Sequence, residues 1–434
     1  MTALTHYFEG WRGYPRQFWL IMAGLLMSSI GMSMVWPFLT IYVSEQLNTS
    51  LTEVAALISL NGIVSLAASF VAGPAADRLG RKRMMVISLA GNGLTYFAFG
   101  MASSYGAFAL LMGLRGLFPA FFKVATNAMI SDLVEPERRP EAYAQMRMWQ
   151  NLGIAIGPAI GGFIVVSSYN TGFTLAAAGL LFYSLLIALF AYETLPENPP
   201  QNAVPGATRI PLGGYGELLR DRPFVTFLFF FTIFQMCSVM LWVLMGVYAK
   251  QNYNLPENQY GLIQATNAIM VVLFQVSVTG VTKRFMPLPV MAVGALVYGL
   301  GVGSVALGSG FWSFWLSYVV VTIGELIIAP TAVSYVAASA PADQRGRYMG
   351  AFALAQGTAG SISPLLGGQL NDRIGPKAIW VGGGILGLVG AGGFWLMDRV
   401  YSEQPSMISE QPSENEQSGI VAELQKARDH APGK

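Results

Sequence analysis

The chain has 434 residues, of which 53% are hydrophobic and 11% charged, against about 25% charged in an ordinary soluble domain. That excludes a water-soluble globule, and a formal charge of +2 gives no basis for nucleic-acid binding. Cys237 is the only cysteine, and the two histidines, His6 and His430, lie near the termini. Internal disulfides, cysteine or imidazole metal sites and histidine-based catalysis are therefore excluded, and no cofactor is expected.

A bilayer-spanning helix takes roughly 20 apolar residues, so twelve spans would use about 240. Apolar runs fall at 18–43, 54–72, 84–102, 107–130, 143–166, 172–192, 223–249, 258–280, 288–308, 311–334, 349–366 and 378–397. They lack the alternation of outer-membrane barrel strands, and open sheets do not survive in lipid. The expected fold is an all-α integral membrane protein with twelve transmembrane helices in two six-helix halves. The first run is too long for a signal-peptide core and is read as a retained span. Basic residues gather at the cytoplasmic ends of spans. With both termini inside, nineteen of the 25 fall in the cytoplasm and only Lys250, Arg373 and Lys377 outside. Arg115, Lys123 and Arg147 fall within spans.

In chain order, span 1 carries Trp36-Pro37 after Gly31 and holds no acid. The loop after span 2 reads Gly73-Pro-Ala-Ala-Asp77-Arg78-Leu-Gly80-Arg81-Lys82-Arg83. A plain cytoplasmic loop explains the cations but not Asp77 or the spaced glycines. Asp77 can meet the positive N-terminus of a neighbouring helix, while the arginines bind acids such as Asp132, making a latch. On span 4, positions 115, 119, 122, 123 and 126 share one broad face at 100° per residue. Charges at that depth normally face a wet interior, so Arg115, Phe118, Phe122 and Lys123 are assigned to a cavity; for Lys123 the alternative is snorkelling to the inner surface. Span 5 contains Gly153-Ile-Ala-Ile-Gly157-Pro158-Ala-Ile-Gly161-Gly162. Its glycines permit close helix approach and Pro158 bends the helix, so this segment is read as a hinge or gate.

The proline-rich segment 193–222 divides an N-terminal bundle, 1–192, from a C-terminal one, 223–400, and the polar tail 401–434 is expected to be a disordered cytoplasmic extension. In the second bundle Phe234 and Gln235 on span 7 and Asn267 on span 8 join Trp36 as cavity candidates, with Tyr42, Met236 and Gln275 as further members. Gln150, Asn151 and Gln356 read as interhelical hydrogen-bonding groups. Glu325 on span 10 is the one acid well inside a predicted span. Burial disfavours a carboxylate and a nearby cation favours it, so an acid alternating between such environments can carry a proton; a permanent ion pair is the alternative. By span depth, Glu325 and Lys123 differ by about 3 Å and Glu325 and Arg115 by about 9 Å, which favours Lys123 as partner. The bundles also echo one another: residues 135–139, Gly157-Pro158 and Gly161-Gly162 recur 206 positions later as 341–345, Ser363-Pro364 and Gly367-Gly368. Such repetition is typical of secondary transporters.

The loop at Gly73–Lys82 resembles the signature Gly-x-x-x-Asp-Arg-x-Gly-Arg-Arg/Lys of the major facilitator superfamily. Residues 153–162 resemble the Gly-x-x-x-Gly-Pro-x-x-Gly-Gly pattern of its twelve-span drug/proton antiporters. Arg115 is a partial match to the superfamily's span 4 motif, with altered spacing. Gly31 to Pro37 is similar to the exporters' span 1 motif, but a second proline is missing, as is the acid that exporters of cationic drugs often place there. The resemblance implies a proton-coupled exporter in the cell membrane, acting as a monomer without cofactor or metal. With Arg115, Lys123 and Glu325 its cargo would be neutral, zwitterionic or anionic amphiphiles. An importer or uniporter of metabolites or organic anions is the alternative, and a membrane enzyme or scaffold is less consistent with the shortage of intramembrane carboxylates and histidine.

Overall fold

The computed structural model describes residues 13–195, 218–341 and 344–401. Residues 196–217 of the proline-rich segment and 402–434 of the polar tail lie outside the described residues. Twelve long helices account for nearly all of the rest: α1 Arg16–Leu47, α2 Leu51–Leu79, α3 Arg81–Phe99, α4 Tyr105–Leu133, α5 Arg139–Val165, α6 Tyr169–Phe190, α7 Arg222–Tyr253, α8 Glu257–Thr282, α9 Pro287–Ser304, α10 Phe311–Ser339, α11 Arg345–Arg373 and α12 Ala378–Tyr401. Ten of these are long and apolar enough to cross a membrane. The other two are α3, which starts on Arg81-Lys82-Arg83, and α11, rich in Gly, Ser and Gln. Large apolar side chains such as Val276, Leu307 and Trp312 stand 83%, 87% and 74% exposed. In a multi-pass membrane protein these are the side chains that meet lipid.

Local chemistry sets the helix ends. Ser50, Ser104, Ser168 and Asp221 accept the backbone N–H three residues on, at the starts of α2, α4, α6 and α7, which satisfies one of the free amides of a first turn. Asn48 and Asn254 end α1 and α7 in left-handed conformation, φ 46° and 50°. These two asparagines are themselves 206 positions apart.

Packing follows the same repeat. Among the first six helices α1 lies against α5 and α6, α2 against α4, and α3 against α4 and α6; among the last six α7 lies against α11 and α12, α8 against α10, and α9 against α10 and α12. The two sets meet chiefly through α2 with α11 and α5 with α8. At the end of the bundle away from Gln17 and Tyr192, these junctions close on glycine. A Cβ at Gly162 would lie 2.8 Å from the Glu257 carbonyl oxygen and 3.1 Å from Asn258 Cα; one at Gly368 would lie 3.0 Å from the Leu51 carbonyl and 2.7 Å from Thr52 Cα. Each of these residues is the 206-position counterpart of its equivalent in the other junction. Around them Thr52 N–H donates to Asp372 Oδ2 (2.9 Å), Gln251 Nε2 to Ser44 Oγ (2.6 Å) and Tyr169 O–H to Glu257 Oε1 (2.8 Å). Lys250 pairs with Glu257 at 3.0 Å.

Because backbone faces each glycine, a larger residue must separate the helices. Gly162→Val and Gly368→Val are each expected to destabilise this closed end by about 1–3 kcal/mol. In a Cys237→Ser background, an Asn258→Cys reporter should label faster with a membrane-impermeant maleimide when either valine is present; unchanged labelling would show that the glycines do not hold this end shut.

Candidate functional site

The cavity expected from sequence is divided into three chambers. The first, about 260 Å³, lies within the first six helices and is lined by Ser88, Asn92, Phe118, Phe122, Lys123 and Thr126 among others. The second, about 570 Å³, is lined by Phe234, Gln235, Ser238, Tyr298, Glu325 and Gln356, together with Asn61 and Trp36. A middle chamber of about 410 Å³ is lined by Trp36, Pro37, Arg115, Ile154, Trp242 and Asn267. Ser29, Met32 and Gln150 line both the first and the middle chambers, and Trp36 and Trp242 line both the middle and the second. The three thus adjoin one another through shared walls.

The shared face predicted on span 4 is split: Pro119, Phe122, Lys123 and Thr126 line the first chamber and Arg115 the middle one. Lys123 does not pair with Glu325; they line different chambers, and no ion pair joins Glu325 to a cation among the described residues. The partner is instead an amide. Asn267 Nδ2 donates to Glu325 Oε2 (2.8 Å) and lies 2.9 Å from Thr322 Oγ1. Arg115 donates from Nη1 to Asn61 Oδ1 (3.3 Å), and its guanidinium stacks on Trp36 with 3.7 Å to the ring centroid. Cation–π stacking suits a planar guanidinium in a site poor in water.

Sequence reasoning missed Asn61, Asn92 and Trp242, and took Gln150 and Gln356 as packing groups although both line chambers. The signal was present, since Trp36 and Trp242, Asn61 and Asn267, and Gln150 and Gln356 are each 206 positions apart. Tyr42, Met236 and Gln275 do not line these chambers: Tyr42 donates to the Phe99 carbonyl among aromatic rings, the Met236 carbonyl accepts from Ser363, and Gln275 donates to the Leu326 carbonyl.

At the terminal end the expected loop is almost wholly helical: Gly73, Asp77 and Arg78 lie in the last turns of α2 and Arg81 and Lys82 open α3, with only Gly80 between them, and Arg81 organises the segment. Its guanidinium contacts Asp77 at 3.0 Å and Asp132 at 3.2 Å and donates to the Ala76 carbonyl. Gly80 sits between α2 and α3 at φ 90°, a conformation that favours glycine. An acid that sequence reasoning did not expect here, Glu193, sits at the N-terminus of α3: its carboxylate accepts the Arg81 and Lys82 backbone amides at 2.9 and 3.1 Å. The adjacent Thr194 hydroxyl donates to Asp132 (3.1 Å). Glu193 was read only as the start of the linker. In α5, Gly153, Gly157 and Gly161 lie against the α1 backbone, and Gly261 of α8 approaches the Pro158 carbonyl, so this segment touches both sets of helices.

Glu193 supplies charge and acceptors to the first turn of α3, so Glu193→Ala should cost about 1 kcal/mol. Thermal unfolding of the purified protein is expected to show a lower midpoint, with Glu193→Gln intermediate; an unaltered midpoint would show that the cap contributes nothing.

A family model described as Major Facilitator Superfamily matches residues 21–248 and 229–428. The "Na(+), Li(+), K(+)/H(+) antiporter" of Planococcus maritimus is 28% identical, over 76% of this chain and 84% of its own. "Multidrug resistance protein MdtH" of Cronobacter sakazakii is 24% identical, over 86% and 92%. Among solved structures, the nucleoside transporter NupG superposes with a TM-score of 0.74 at 15% identity, over 88% of this chain and 99% of that one. Such relatives are transporters rather than enzymes, and with a match that runs through both sets of six helices the chain belongs to the Major Facilitator Superfamily.

Proposed function

We propose that the chain is a proton-coupled exporter of neutral, zwitterionic or anionic amphipathic molecules, built of twelve spans in two six-helix halves, 1–192 and 223–400. Both termini lie in the cytoplasm of a cell whose plasma membrane the protein spans. The glycine-closed end then faces outside, and the arrangement is one stage of alternating access. The observation that carries the reading is Glu325: a carboxylate lining a cavity between the halves, held by an amide and by no cation among the described residues. An unpaired carboxylate inside a bilayer-spanning bundle is costly. Taking up a proton removes that cost, so the protonated and ionised forms favour different exposures to water. This is the property a coupling group needs.

Arg115, kept on Trp36 and Asn61, supplies positive charge without neutralising Glu325. The segment from Gly153 to Gly162, packed on α1 and α8, forms part of the gate, and the Arg81 network with Asp77 and Asp132 acts as a latch between conformations. A second reading, exchange of alkali cations for protons, is favoured by the Planococcus relative's name and by the oxygen-bearing side chains Gln235, Ser238 and Tyr298 that share the chamber of Glu325.

Purified protein in liposomes with an imposed pH gradient separates the readings. Export of an amphipathic dye should dissipate the gradient, and Glu325→Gln should lower that proton flux at least tenfold. Coupling that survives the substitution sinks the proton role, whereas gradient collapse by sodium or potassium alone establishes the cation exchange.

A further inference from the structure

The coupling proposed for Glu325 makes no use of the Lys123 chamber, yet its place in the fold is specific. Most of its lining recurs 206 positions later around Glu325: Leu25 and Phe231, Ser29 and Gln235, Asn92 and Tyr298, and Gln150 and Gln356 are such pairs. The two chambers are one cavity repeated, with its charge reversed. Where the second has Glu325 the first has Pro119, and where the first has Lys123 the second has Ala329. Among the described residues Lys123 is the sole charged one lining the first chamber.

Its polar groups are poised for a ligand. Asn92 and Thr126 are 3% and 2% exposed, and Asn92 Oδ1, Thr126 Oγ1 and Asn127 Oδ1 have no hydrogen-bond partner. Buried polar atoms without partners are rare in folded proteins and call for an explanation. Asn92 Nδ2 reaches only as far as the Met32 thioether, at 3.6 Å, a weak acceptor, so no strong partner competes with a ligand for its N–H groups. An ammonium, a hydroxyl and amides converging on a volume of about 260 Å³ suit a headgroup rather than a whole drug-sized molecule.

We propose that this chamber is an anion subsite that binds the carboxylate headgroup of an amphiphilic cargo, with Lys123 as counter-ion and Asn92, Thr126 and Asn127 as hydrogen-bonding groups. The cargo's apolar body passes Met32 into the middle chamber, between Trp36, Ile154 and Trp242. The proposal rests on the transport reading and narrows its cargo to anionic amphiphiles, with the negative charge and the proton handled in equivalent places of the two halves.

The test uses the full chain in phosphatidylcholine nanodiscs, titrated with 4-phenylbutyrate, 4-phenylbutanamide and 4-phenylbutylamine while thermal unfolding is followed. The carboxylate should stabilise the protein and the other two should not. Lys123→Gln should weaken the apparent affinity at least tenfold, the scale of losing one charge-assisted hydrogen bond, Lys123→Arg should largely retain it, and Thr126→Val should weaken it less. Carboxylate binding is read here without a pH gradient and proton flux in liposomes, so failure of proton coupling and failure of the subsite are scored separately. Nanodiscs containing phosphatidylglycerol distinguish the source of the anion: a lipid headgroup in the chamber would stabilise the protein by itself, in a Lys123-dependent way, and block 4-phenylbutyrate. Equal shifts from all three compounds, or carboxylate binding unchanged in both Lys123→Gln and Thr126→Val, would overturn the proposal.

Discussion

Two glycine contacts hold the far end of the bundle together, and the rest of the arrangement depends on them. Gly162 on the Glu257–Asn258 backbone and Gly368 on Leu51–Thr52 bring α5 to α8 and α11 to α2 at distances no other residue tolerates without displacement. Backbone-to-backbone contact makes the junction short-range and all-or-none, since dispersion falls steeply once a gap opens. The polar contacts nearby, Thr52 to Asp372 and Tyr169 to Glu257, gain their geometry from that closeness. An interface of this kind suits a gate that has to release as a unit.

Repetition at 206 positions also explains how one architecture gives two chemistries. The chambers in the two halves are equivalent in position but carry Lys123 in one and Glu325 in the other, four residues out of register, about one helical turn. A single charge per chamber avoids direct neutralisation. Each then remains open to the mobile partner proposed for it: a proton for the acid, an anionic headgroup for the lysine.

Much of this was legible in the chain. Apolar run length carried the long membrane-type helices, because it reflects the cost of polar groups in hydrocarbon. Glu325 stood out for the same reason, as a lone acid among apolar residues. What did not follow was partnership. Depth along a helix axis placed Lys123 near Glu325, but which way a side chain points around the axis depends on how neighbouring helices rotate and pack, and that put the two in different chambers. Glu193 was hidden likewise: its carboxylate reaches back 111 and 112 residues to Lys82 and Arg81, a contact that no local pattern announces. The repeat offset could have revealed Asn61, Trp242 and the two glutamines had it been applied beyond the motifs that first displayed it.

The absence of an Arg115–Glu325 ion pair among the described contacts then has a physical reason. Asn61 and Asn267, one residue repeated, hold the two charges apart on their own sides, one accepting from the guanidinium and the other donating to the carboxylate. Trp36 occupies the space between, stacked on Arg115 and lining the chamber of Glu325. A buried ion pair broken by removing one partner is strongly destabilised, so a pair formed in one state would resist every later step. Neutral amides and an indole support each charge without that penalty, which in the proposed mechanism leaves protonation of Glu325 free to bias the bundle rather than to break it.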